Sequence, residues 1–140
     1  MNQSTLFRSL LGLGLLLSAS AAFAATPVGL WEIRSYRESG LNFGTVNQVC
    51  YLTNGTWYSL SFPGANGEWF QKGDRIRSTA FSPQNGWNHA LFGQFASNTL
   101  FTGEYIGFLN NPATQHPDTT EKGNFTAAFI SRICPPNPAP

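Results

Sequence analysis

The stretch 46–81 constrains this chain most, because it is built from short apolar runs separated by turn-forming residues. The runs cover 46–52, 56–62, 68–71 and 75–81, each too short for a packed helix. Between them stand Thr53-Asn54-Gly55, Pro63-Gly64-Ala65-Asn66-Gly67 and Lys72-Gly73-Asp74. Asn-Gly steps, and a Gly between polar residues, supply the positive φ angles that tight hairpin turns need. Consecutive hairpins predict an antiparallel meander.

The same pattern continues on both sides. In the first expected strand, 27–37, Trp31, Ile33 and Ser35 alternate with Glu32, Arg34 and Tyr36, a period of two. In 56–62, Tyr58, Leu60 and Phe62 share one face and Trp57, Ser59 and Ser61 the other, and both faces are suited to burial. In 75–81, Ile76, Ser78 and Ala80 oppose Arg75, Arg77 and Thr79. Further strands are expected at 87–95, 99–108 and 124–133, with a polar loop at 109–122. No window holds a helical period for three turns. The expected fold class is all-β: an antiparallel eight-stranded meander closing into a small barrel, since closure removes exposed sheet edges.

Residues 1–24 stand apart. A polar start with Arg8 leads into a short Leu-rich run and then Ala22-Phe23-Ala24. This layout predicts a secretory signal peptide cut after Ala24, and hence a periplasmic or secreted protein. The barrel domain then spans 25–134, followed by a Pro-rich, disordered tail at 135–140. Without Arg8, seven Lys/Arg face seven Asp/Glu in scattered positions, so neither nucleic acid nor an anionic membrane surface is an expected partner. The apolar run in the leader is too short and interrupted for a membrane span. Cys50 and Cys134 are the only cysteines, and an even count in an exported chain predicts a disulfide. In the barrel it would fix the last strand beside the second.

One tripeptide, Gly-x-aromatic, recurs six times, at Gly29, Gly55, Gly67, Gly93, Gly103 and Gly123. In a strand the Gly and the ring share a face, so the small residue leaves room for a large neighbour in a tapering barrel. With Gly29-Leu30-Trp31 opening the first strand and Arg132 late in the last, the chain resembles the calycin superfamily of lipocalin- and avidin-like barrels. The resemblance implies that Arg132 packs across Trp31, a cation over an indole face. Both would be structural, so the resemblance carries fold and not function.

Trp57, Trp69, Trp87 and Tyr105 are the candidate lining of a pocket for an apolar or aromatic ligand, unless they simply fill the barrel. Glu104 shares a face with Leu100, Ile106 and Phe108. Turned inward, its carboxylate would need a partner such as Arg34, Arg75 or Arg77. If the Phe101/Tyr105 face is the inner one, Glu104 is solvated. Arg75 and Arg77 join the candidate ligand-binding set on this argument. His116 and His89 are too few for a metal site, and no cofactor pattern is present. No Ser/His/Asp order, nucleophile elbow or phosphate-binding Gly loop is present, so no catalytic residue is assigned. The expected function is an exported binding protein for a small, mostly apolar or aromatic molecule. The alternative is a protein-interaction module, such as an inhibitor of a secreted hydrolase, with a filled interior.

Overall fold

The computed structural model describes residues 25–38, 43–82, 86–110 and 117–138. Eight antiparallel strands follow in chain order: β1 (Gly29–Arg37), β2 (Phe43–Tyr51), β3 (Thr56–Ser59), β4 (Asn66–Lys72), β5 (Arg75–Ser82), β6 (Trp87–Ser97), β7 (Leu100–Asn110) and β8 (Pro117–Ser131). Each pairs with its sequence neighbour, and β1 also pairs with β8, so the meander closes into a barrel. Among the described residues no helix is long and apolar enough to cross a membrane.

Turn chemistry sets the register. At 52–56 the Leu52 N–H donates to Thr56 O at 2.9 Å, and Gly55 takes φ +82°, which makes a three-residue hairpin loop. The next turn falls earlier than Asn66-Gly67 suggested. Pro63-Gly64 makes it, with Gly64 at φ +83° and the Ala65 N–H donating to Phe62 O at 3.0 Å. Proline then glycine suits a type II turn, and this leaves Asn66 and Gly67 inside β4. Strand β3 accordingly stops at Ser59, whose Oγ accepts the Phe62 N–H at 2.8 Å. The expected loop at 109–122 shrinks, because β7 runs to Asn110 and β8 begins at Pro117. Long partner strands continue the ladder through polar residues that carried no apolar alternation.

Both faces of β3 are buried, for different reasons. Trp57 points into the barrel. Tyr58 lies in an outer cluster with Leu30 and Cys50, covered by Leu52, Leu60 and Cys134. The Cys50–Cys134 disulfide belongs to this cluster, with 5.7 Å between the Cα atoms. It does not set the last strand beside the second: β8 pairs with β1 and β7. The segment after β8 instead reaches over β1 to β2, and the Tyr58 hydroxyl donates to the Pro135 carbonyl. Residues 134–138 carry no regular secondary structure.

The closed end of the barrel is solid. Trp31 is fully buried and meets Phe101 at 4.8 Å, Phe129 at 5.3 Å and Phe95 at 6.0 Å between ring centroids. Its indole N–H donates to Pro27 O at 2.6 Å, which draws the segment before β1 across the end. Arg132 does not stack on Trp31. Its guanidinium lies over Phe129, 5.1 Å from the centroid, and donates to Val28 O. Phe129 stands between the cation and the indole.

Glycine permits one contact that spans three strands. The Trp57 indole N–H on β3 reaches past β4 to donate to Thr79 O on β5 at 2.8 Å. A Cβ on Gly67 would stand 1.7 Å from that carbonyl oxygen and 2.7 Å from the indole nitrogen.

Two expectations follow. Gly67→Ala should lower stability by roughly 2–3 kcal/mol in urea denaturation, because backbone must move to admit the methyl. Replacing Cys50 and Cys134 together by Ser should lower it by about 2–5 kcal/mol while the far-UV spectrum stays that of a barrel.

Candidate functional site

Barrel diameter is fixed by strand number, so the interior is filled or open according to the side chains at each level. Along β1 the inward residues run Trp31, Ile33, Ser35; along β2, read from the closed end, Tyr51, Val49, Asn47, Thr45; along β5, Ile76, Ser78, Ala80. Size falls toward the end from which the β1–β2, β3–β4, β5–β6 and β7–β8 connections leave. The result is a cup of about 260 Å³ in the upper half of the barrel. That lies just below the usual range for small-molecule sites.

Tyr51 and Trp57 make the floor, with Val49, Leu91 and Phe125 around it. Trp87 and His89 lie parallel on one wall, ring centroids 5.6 Å apart and planes 4° apart. His89 lies against Gly107 of β7, where a Cβ would come within 2.5 Å of the imidazole. Phe62 and Phe81 stand at the rim, 40% and 48% exposed.

Among the described lining residues, charge stands at the mouth and is paired there. Arg37 Nε lies 3.1 Å from Glu121 Oε1, and the Tyr105 hydroxyl donates to the same oxygen at 2.6 Å. Burial, reinforced by this bond to a carboxylate, pushes the Tyr105 hydroxyl well above its ordinary pKa and keeps it a donor. Burial lowers the His89 pKa, and the nearby Glu121 charge opposes part of that shift. His89 is therefore neutral at pH 7.

The floor is uncharged. Burial raises the Tyr51 pKa strongly, only partly offset by Ser78. Asn47 Oδ1 accepts the Ser59 hydroxyl at 2.6 Å. Ser78 is different: only 4% exposed, it leaves its Oγ without a hydrogen bond of normal geometry, even to Tyr51. Leaving a buried hydroxyl unpaired costs on the order of 1–3 kcal/mol.

Three of the residues singled out in the sequence, Trp57, Trp87 and Tyr105, meet in the cup. Trp69 does not line it. Its ring meets Tyr51 edge-on at 6.2 Å, and its N–H donates to Leu52 O at 2.9 Å. Glu104, Arg75 and Arg77 point outward and are exposed. The Phe101/Tyr105 face of β7 is the inner one, so Glu104 lies on the outer surface beside Phe92 and Lys122. Arg77 caps Phe92 on that same surface, 5.8 Å from the ring centroid. The sequence reading passed over Tyr51, Ser78, His89, Arg37 and Glu121 as members of one site. Glu121 was legible in principle: it shares parity with Gly123 and Phe125, but it sat in the stretch read as loop. His116 lies outside the described residues, and among those described no three His, Cys, Asp or Glu side chains cluster as a metal site requires.

The depressed His89 pKa sets a sign for stability against pH. The unfolded chain binds the proton first, so stability is complete above about pH 6.5 and falls as pH drops through the lowered folded value. His89→Gln should flatten this part of a denaturation-versus-pH curve. Glu121→Gln should lower the His89 pKa further, read by NMR titration of the imidazole.

Comparison with known proteins adds the architecture. No family model matches the chain, and no curated protein sequence matches it. Among solved structures, EF1p2_mFAP2b bound to DFHBI is similar at a TM-score of 0.55 and 12% identity. The match covers 74% of this chain and 93% of that one. At that identity the likeness concerns the fold: an eight-stranded barrel.

Proposed function

We propose that the protein is an exported, calycin-like binding barrel that holds one small, mostly apolar or aromatic molecule in its cup. The observation that carries this reading is the half-open interior. Residues 25–140, with 10 Phe, 4 Trp and 4 Tyr, have rings enough to fill a barrel. Yet small and polar residues stand at the upper levels of β1, β2 and β5, and a cup lined by Trp57, Trp87, Leu91 and Tyr105 stays open. The fold neighbour holding DFHBI supports the reading, since the same architecture there accommodates a ligand. Export is supported by the leader-like 1–24 segment and by the disulfide, which persists in oxidising compartments. An inhibitor of a secreted hydrolase would have no use for the cup and would be expected to have a solid core.

A panel of uncharged aromatic and aliphatic molecules should yield at least one saturable 1:1 complex by native mass spectrometry. The same compound should raise the melting temperature as its concentration passes Kd. Ala80→Phe, which fills the cup from β5, should weaken that binding at least tenfold by calorimetry while the fold persists. A panel without a single binder would overturn the reading.

A further inference from the structure

The wall of the cup carries an imidazole that the bonds at the mouth leave out. His89 on β6 pairs with Gly107 on β7, and Gly107 pairs with Glu121 on β8, so the three stand in one row across the wall. Gly107 has no side chain, and the Cδ2–Nε2 edge of His89 lies 2.5 and 2.8 Å from where its Cβ would be. Nδ1 is the ring atom opposite this edge, so it is turned away from β7. Among the described residues, neither nitrogen of His89 has a hydrogen-bond partner, and neither is sealed from solvent as the Ser78 Oγ is. Its neighbours are rings: Trp87 lies parallel, and Tyr105 stands edge-on at 6.3 Å. Glu121 is already occupied, accepting from the Tyr105 hydroxyl and pairing with Arg37.

We infer that His89 is the polar recognition residue of the cup: its unprotonated nitrogen accepts a hydrogen bond from a neutral O–H or N–H of the bound molecule, and acid releases that molecule. This rests on the binding function proposed above and narrows the ligand to an apolar body with a neutral donor. The body belongs at the floor, among Tyr51, Trp57, Val49 and Phe125. The donor belongs higher, since His89 pairs with Ala80, two residues beyond Ser78 toward the mouth. A ligand without a donor would displace water from the imidazole and return nothing. A donor restores the bond, because a neutral imidazole always offers one bare nitrogen. An ionised carboxylate has no proton to give and would add a second negative charge near Glu121.

The groups that face His89 set the sign of the pH dependence. Among the described residues, β6 itself presents Trp87 and Leu91, β5 presents Ala80, and β7 presents Gly107 and the protonated Tyr105 hydroxyl. Strand β8 presents Glu121, whose charge Arg37 of β1 offsets. Burial outweighs the attraction to Glu121 that remains, so the imidazole is neutral at pH 7. Once protonated, both nitrogens donate and the acceptor is lost, and an apolar body in the cup further dehydrates the charge. The bound molecule therefore favours neutral His89. By linkage its affinity is flat above about pH 6.5 and falls by up to about tenfold per pH unit below the lowered folded pKa.

Two probes matched in shape, 2-naphthol and 2-methylnaphthalene, test this by fluorescence titration of the disulfide-intact protein. Both are uncharged from neutral pH into acid, and burial alone favours the methyl compound. At neutral pH 2-naphthol is expected to bind about fivefold tighter, the worth of one net neutral hydrogen bond. His89→Phe, which keeps a ring beside Trp87 and removes the acceptor, should erase that preference. On acidification the affinity for 2-naphthol should fall in step with the neutral fraction of His89, followed by NMR titration of the imidazole, while the far-UV spectrum stays that of the barrel. His89→Gln does not titrate, so its binding should show a flat pH profile. Equal affinities for the two probes, a preference that survives His89→Phe, or an affinity that holds or rises as His89 protonates would each overturn the role of His89 and leave the binding function standing. If neither probe binds, the role of His89 falls, and the broader panel alone judges the binding function. Should a variant not fold, the probe preference and the pH profile of the wild type decide.

Discussion

A closed eight-stranded cylinder has one interior width, and every other feature of this molecule follows from how that width is occupied. At one end the occupants are rings. Trp31, Phe95, Phe101 and Phe129 meet there, and the segment before β1 is tied down by the Trp31 indole. At the other end the inward residues of three strands shrink to Ser, Thr, Asn and Ala, and among the described residues a cavity remains. One half supplies apolar burial, which drives folding. The other half leaves a cavity.

Close packing of large rings requires that neighbouring strands approach where a side chain would block them. Gly67 clears the path from Trp57 to Thr79 O, and Gly107 gives His89 a surface to lie on. Gly67, in a Gly-x-aromatic tripeptide, and Gly107, outside one, therefore both act as spacing elements within strands. Outside the barrel, the disulfide and the Tyr58 hydroxyl hold the chain after β8 across β1. In the chain-entropy account, a loop of this length contributes about 4–5 kcal/mol by restricting the unfolded state.

Electrostatics divide the cup from top to bottom. At the mouth, Arg37, Glu121 and Tyr105 satisfy one another, so the charge that exists is neutralised where water can still reach it. His89 sits between this network and the aromatic wall and stays neutral. Farther down, the described lining residues are uncharged, and the Tyr51 and Ser78 hydroxyls lie beside each other.

Strand number, antiparallel order and most strand cores were legible in the chain itself, because alternation and turn chemistry are local. Trp57, Trp87 and Tyr105 could be picked out as lining candidates for the same reason. Local pattern could not orient β7: Leu100, Ile106 and Phe108 make its outer face look as apolar as its inner one. Thus Glu104, Arg75 and Arg77 were candidates until the register put them outside. Nor could it find Glu121, whose strand is held by partner β7 rather than by its own alternation. What residue order determined was an all-β meander with one disulfide. What tertiary structure decided was the level at which each inward side chain stands, since that depends on the stagger of eight strands at once, and that level alone separates a plugged end from an open cup.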